Sequence, residues 1–282
     1  MSAPAKVIRR AQAGTTESPW VKWTLIAIAL AFMFLFLVLP LAAVATEALR
    51  KGFGAYLEAL KEPDAWSAIE LTLIVAAITV PLNLVFGVAA AWAIAKFEFR
   101  GKSLLTTLVD LPFALPTAVA GIALTALYSN NGWIGQWLPF KVSFTPLGVF
   151  VALTFIGLPF VVRTLQPVLE DLPGEVEEAA AMLGASRAQT FVRVILPAIA
   201  PALLTGFALA FARALGEYGS VIFIAGNLPL VSEITPLIII TKLEQYDYTG
   251  ATAIAVVMLV ASFAMLLAIN ALQAWTRSRQ GR

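Results

Sequence analysis

Residues 177–197 read EEAAAMLGASRAQTFVRVILP, a charged and helix-forming stretch set between long apolar runs. Just before it, Asp171 and Pro173 supply a helix start. Glu175, Glu177 and Glu178 place negative charge in the first turns, where the helix dipole favours it. Gly184 suits the left-handed position just past a helix end, because a residue without Cβ carries no steric penalty there. Ser186 then fits an N-cap, with Gln189 three residues on to close a capping box. Pro197 lies beyond the second helix and marks the turn into the next apolar run. The expected unit is two short helices joined at a glycine, a compact polar knob.

The runs on either side decide where this knob sits. The chain has 282 residues, 60% of them hydrophobic and only 13% charged, with a mean hydropathy of +0.87. The charges cluster between apolar runs, the pattern of an integral membrane protein and not of a soluble domain. There are no cysteines and no histidines. That excludes disulfides and thiolate metal sites, and removes the usual general base and metal ligand near neutral pH.

At the N-terminus, Lys6, Arg9 and Arg10 precede an uncharged run of 24 residues, 23–46. Ala43-Val44-Ala45 looks like a signal-peptidase site, but a cleavable signal has an apolar core of only about 7–15 residues. The expectation is an uncleaved first transmembrane helix. Five further spans are expected at 71–95, 111–128 (interrupted by Pro112 and Pro116), 144–162, 198–225 (apolar except for Arg213 and Glu217) and 250–275. Each is long enough for a hydrocarbon core of roughly 30 Å at about 1.5 Å per helical residue. Residues 228–240 are apolar but broken by Pro229, Glu233 and Pro236, and read as a re-entrant or interfacial segment.

With both termini inside, 13 Lys and Arg residues fall on the cytoplasmic side and 5 on the other, with Arg213 within the membrane. The positive-inside rule selects that orientation and puts the 163–197 loop in the cytoplasm. The domain reading is a cytoplasmic tail at 1–22, one transmembrane domain at 23–275 containing the 163–197 loop, and a cytoplasmic tail at 276–282. Gly101-Lys102-Ser103 ends like a phosphate-binding P-loop. The motif's first glycine would fall on Lys96, however, and the stretch follows a membrane helix where a strand is required.

The spacing of Glu178-Ala179-Ala180, Gly184 and Leu196-Pro197 resembles the coupling loop of bacterial ABC importer permeases, with Val194 where that pattern usually has isoleucine. Residues 110–121 (DLPFALPTAVAG), 159–163 (PFVVR), 211–219 (FARALGEYG) and 221–227 (VIFIAGN) resemble the sulfate/thiosulfate importer permeases. The C-terminal half looks like the CysT-type subunit, while residues 66–109, with Pro81-Leu-Asn-Leu-Val-Phe-Gly87, lean toward the sister CysW type.

This resemblance implies an all-α integral membrane protein of about six transmembrane helices, like a type I ABC importer permease, with a cytoplasmic two-helix coupling loop. It also implies a bacterial inner-membrane permease subunit that imports sulfate or thiosulfate by alternating access and performs no bond chemistry. No cofactor is expected on this chain. ATP would be used by a cytoplasmic ATPase dimer, alongside a second homologous permease and a periplasmic sulfate/thiosulfate-binding protein. Membrane lipid is expected as a partner and nucleic acid is not. The alternatives are molybdate or tungstate as the oxyanion or, from another class, an ion-coupled carrier or channel.

Within the membrane, Arg213 and Glu217 are four residues apart and therefore on one helix face, close enough to pair. Such charges are expensive in lipid and face the bundle interior or a wet cavity. Two roles stay open, passage of an oxyanion by Arg213 or a structural lock. Pro112 and Pro116 free backbone groups that must find partners or line a cavity, so with Thr117 they are candidates for the substrate path, or for a simple kink. Ser129-Asn130-Asn131-Gly132 reads as an outer turn.

Overall fold

A computed structural model describes residues 18–280, with side chains through residue 275. Lys6, Arg9, Arg10 and Arg282 lie outside the described residues, as do the side chains of Arg277 and Arg279. The chain divides at Thr46/Glu47 into two compact units.

The first unit is dominated by α1, Pro19–Ala48, 30 residues long. Its regular hydrogen bonding widens into a π turn over Phe34–Val38, directly before Leu39-Pro40. Pro40 has no N–H and its ring crowds the carbonyl four residues back, so one wider turn keeps the helix continuous.

In the second unit, α2 (Phe53–Lys61) leads into α3 (Pro63–Lys96), α4 (Lys102–Ala114) and α5 (Thr117–Tyr128). Then come α6 (Pro146–Glu170), α7 (Gly174–Met182) and α8 (Arg187–Leu215). The short α9 (Val221–Ala225), α10 (Thr235–Glu244) and α11 (Tyr248–Gln280) complete the order.

The core forms where α3, α6 and α8 meet. Small residues of α3 recur at helical spacing along one buried stripe: Ala65, Ala68, Thr72, Ala76, Thr79, Asn83, Gly87 and Ala91. Without a hydrophobic force between helices in lipid, close approach of small residues supplies the packing. Gly87 lies so near Val161 of α6 that an added Cβ would collide with it, and Gly157 lies equally close to Asn83. At the far end Lys96 reaches the carbonyl of Leu172, 3.5 Å away.

The register 83/157, 87/161, 96/172 runs the same way in both helices, so α3 and α6 are parallel. The chain between two parallel spanning helices must return across the membrane. That return is made by α4 and α5, which are bent by 116° at the break between them. The span expected at 111–128, interrupted by Pro112 and Pro116, is in fact two helices: it starts earlier, at Lys102, the first helix ends at Ala114, and Pro116 caps a new one. The twelve residues of α5 cover about 18 Å and do not cross alone. Five helices are individually long and apolar enough to span, or six if the bent pair counts as one span.

Three further boundaries differ from expectation. α6 continues past Arg163 to Glu170. The span expected at 198–225 stops at Leu215, with Gly216 at its end and α9 as a separate turn. No turn occurs at Pro197: α8 passes through it by a second π turn at Phe191–Ile195, again just before a Leu-Pro pair. The segment at 228–240 is a turn followed by α10, ten residues long and too short to span.

Candidate functional site

Two places carry chemistry, the projecting helix α7 and the paired helix breaks inside the bundle. In α7 the helix start differs from the sequence reading. Asp171 caps the end of α6, and Pro173 stands at the N-cap of α7 without a side-chain bond. The helix end is built as expected. Gly184 has φ +80°, and its N–H donates to the carbonyl of Ala181 at 2.9 Å while Ala185 donates to that of Ala180 at 3.0 Å. These are the two bonds of a Schellman motif. The Ser186 hydroxyl then accepts from the N–H of Gln189, whose side chain accepts from the N–H of Ser186, closing the capping box.

The second short helix is the first turn of α8, so the knob is one short helix braced against the root of a spanning one. Glu178, Ala179 and Pro197 are exposed, Ala180 is buried and Leu196 half-buried. The tip carries two apolar side chains, Met182 and Leu183, each 89% exposed. Sequence reasoning missed this pair, although two large apolar residues ending a charged helix were a visible signal. It also missed the brace. Lys96 at the end of α3 forms an ion pair with Glu177 at 2.9 Å, and Trp92 meets Phe191 edge-on with ring centroids 5.5 Å apart.

Inside the bundle, Arg213 and Glu217 approach to 2.5 Å. Glu217 is fully buried. Its Oε1 accepts from both the N–H and the hydroxyl of Ser220, each at 2.9 Å. The contact from Arg213 falls on Oε2, which lies outside hydrogen-bond alignment. One carboxylate thus folds the 217–220 turn while offsetting the arginine's charge.

The structure brings this turn against the other break. Gly219 lies against Thr117 and Gly121 against the backbone of Ser220, both closer than a Cβ would permit. Thr117 and the Arg213/Glu217 pair therefore belong to one region. Pro116 stands at the break itself, and Pro112 lies within α4. That arm is held to α6 by a two-pronged contact of Arg163 on Asp110, with Nε to Oδ1 at 2.6 Å and the second prong from Nη2 to Oδ2. Two broken helices abutting at their breaks are a recurrent way for transporters to place irregular backbone at membrane depth.

The bundle and projecting helix match solved transporter structures. A bacterial alginate ABC transporter, crystallised with an alginate pentasaccharide-bound periplasmic protein, is similar with TM-score 0.74 and 18% identity, over 90% of this chain and 93% of that one. The MetNI methionine ABC transporter matches with TM-score 0.57 and 15% identity, over 75% of this chain and 94% of that one. Fold and site together define a multi-pass membrane permease subunit of the type I ABC importer class.

The chain belongs to the family of binding-protein-dependent transport system inner membrane components, which it matches over residues 83–281. The sulfate transport system permease protein CysT of Escherichia coli strain K12 is 48% identical over 246 residues, covering 86% of this chain and 87% of that protein. The CysT protein of Synechocystis is 46% identical over 280 residues, covering 98% and 96%. The probable sulfate permease of Nephroselmis olivacea is 49% identical over 245 residues, covering 86% of each.

Proposed function

We propose that this chain is a membrane-spanning permease subunit of an ATP-driven importer, and that it carries sulfate or thiosulfate. Sequence identity of 46–49% with sulfate permeases over most of the chain is the observation that carries the substrate reading. The drive reading rests on α7. A short helix with an exposed Met182-Leu183 tip, locked by Gly184 and the Ser186/Gln189 cap, offers a firm apolar contact to a cytoplasmic ATPase.

In this reading both termini are cytoplasmic in the inner membrane, in line with the 13-to-5 distribution of Lys and Arg. ATP is bound by the ATPase dimer and not by this chain. A second homologous permease completes the pathway, and a periplasmic sulfate-binding protein delivers the anion. Closure of the ATPase dimer pushes α7, and the Lys96–Glu177 contact passes that push to α3. The parallel α3/α6 pair then moves together against the broken helices. Glu178, Ala179, Ala180, Gly184, Leu196 and Pro197 serve coupling. Arg213, Glu217, Pro116 and Thr117, with Pro112 on the adjoining arm, shape the region the anion passes.

The test is sulfate uptake in cells that lack their own sulfate permease but carry this chain with its partner subunits. Sulfate-dependent, ATP-dependent accumulation that thiosulfate competes for is the expected result. Uptake of molybdate or tungstate without sulfate would reassign the substrate. Uptake that survives loss of the ATPase would overturn the mechanism.

A further inference from the structure

At the end of the bundle opposite α7 lies a pocket of about 470 Å³, between the turn after α5 and the approach to α6, with Asn130, Asn131, Lys141, Ser143 and Thr145 among its lining residues. We propose that it binds a small tetrahedral oxyanion of the sulfate class before the anion enters the bundle. The proposal rests on the sulfate reading above for its choice of ligand.

The lining chemistry is that of an anion site. Two amides, the Ser143 hydroxyl and one ammonium supply donors, and none of the lining residues is acidic. The Thr145 and Ser129 hydroxyls are given to the carbonyls of Val142 and Ala126. Lys141 makes no ion pair among the described residues, so its charge is not neutralised locally. Ser143 is only 6% exposed, and its Oγ is buried with no hydrogen-bond partner. A buried hydroxyl left unpaired is unfavourable, and an oxyanion would accept from it.

The wall beside Ser143 is preformed. Phe144 has φ +64°, and its N–H is held by the carbonyl of Ile224 at 2.6 Å. A rigid backbone that presents a hydroxyl and an amine together is what a small polyoxygen anion requires.

The experiment titrates sodium sulfate into the full-length chain in lipid nanodiscs at constant ionic strength. Tryptophan fluorescence is the readout, since Trp133 and Trp137 lie on the same loop and are each 81% exposed. A saturable change is expected, weakened roughly tenfold by Ser143→Ala and by Lys141→Gln, the size expected for loss of one charge-assisted hydrogen bond. Lys141→Arg should restore most of it. A change that does not saturate, or that is the same in wild type and both variants, would overturn the site.

Lys141 is exposed, so Lys141→Gln tests the site even if Ser143→Ala fails to fold. Wild-type binding without sulfate uptake by the assembled transporter would sink the substrate reading while leaving the anion site standing. Unchanged sulfate binding by Lys141→Gln, with lost stimulation of the ATPase by the binding protein, would make the pocket a docking surface and overturn the proposal.

Discussion

Lys96, the last residue of α3, and Glu177 of α7 form an ion pair at 2.9 Å, and Lys96 also approaches the carbonyl of Leu172. One side chain thereby joins the end of α3, which packs along α6, to the helix that projects from the bundle. Both partners are partly exposed, so the pair adds little stability, about 0–1 kcal/mol. In the coupling proposed above, its effect lies in transmission. Lys96→Glu should leave the protein inserted but lower sulfate taken up per ATP hydrolysed in reconstituted vesicles. The double exchange Lys96→Glu with Glu177→Lys should recover much of the loss; purely additive losses would show that the pair transmits nothing.

Gly184 has open space around it but a φ of +80°. A substitution there is strained by backbone conformation and not by crowding. Gly184→Val should cost roughly 1–3 kcal/mol locally and abolish uptake. Gly184→Asn, which tolerates the left-handed region, should keep a substantial fraction. Gly184→Asp adds a charge beside the Met182-Leu183 tip and should weaken ATPase association in a pull-down while the protein still inserts.

Arg213 and Glu217 separate a structural role from an anion-handling one by double substitution. Removing Arg213 alone leaves a buried carboxylate with only its Ser220 donors, and Arg213→Met should lower the thermal midpoint and the yield of folded protein. Adding Glu217→Gln removes the uncompensated charge and should recover stability. If uptake recovers with stability, the pair is a lock. If stability returns and uptake does not, Arg213 handles the anion.

Gly121 lies against the Ser220 backbone, whereas Gly54 of α2 has nothing within 4 Å of its Cβ position. Gly121→Ala should therefore destabilise by about 1–3 kcal/mol, and Gly54→Ala should be neutral or slightly stabilising. Thermal midpoints in detergent decide it, and equal effects at the two sites would contradict the close approach of the two helix breaks.

Lys242 bonds Glu62 at 2.5 Å and Asp247 at 3.3 Å. Burial alone would lower the pKa of Lys242, but the two carboxylates outweigh it and hold it above its ordinary value. Burial alone would raise Asp247, yet the Gly250 N–H and Lys242 hold it below its ordinary value. The Lys242 contribution to stability is full below the ordinary lysine pKa and is lost as pH rises through its raised one. The Asp247 contribution is present above the ordinary aspartate pKa and is lost as pH falls through its lowered one.

Glu233 works the other way at acid pH, because burial raises its pKa. Its contribution is present below the ordinary glutamate pKa and is lost as pH rises through the raised value. Thermal midpoints should therefore be broadly level from above the raised Glu233 value up to the ordinary lysine range, about pH 10. Lys242→Met should remove the alkaline fall, and Glu233→Gln should steepen the acid one.

The apolar runs, the charges between them and the Gly184–Ser186–Gln189 spacing were sufficient for a multi-span helical protein with a projecting knob. Those features are local: a run of apolar residues must bury in lipid, and a left-handed glycine followed by a capping box ends one helix and starts the next wherever it occurs. The Arg213/Glu217 pairing was legible for the same reason, being one helical turn apart. Local signals misplaced the breaks. Pro197 reads as a turn and is absorbed by a π turn; Gly216 lies inside the run expected to span, yet it ends a helix, and Glu217 beside it accepts from Ser220 beyond. Tertiary contacts alone decided that α3 and α6 are parallel, that the α4–α5 break meets the 217–220 turn, and that Phe144 is held by Ile224 with Ser143 buried beside it. Each of these depends on residues far apart in the chain, where the close approach of small side chains sets the geometry and no short-range pattern records it.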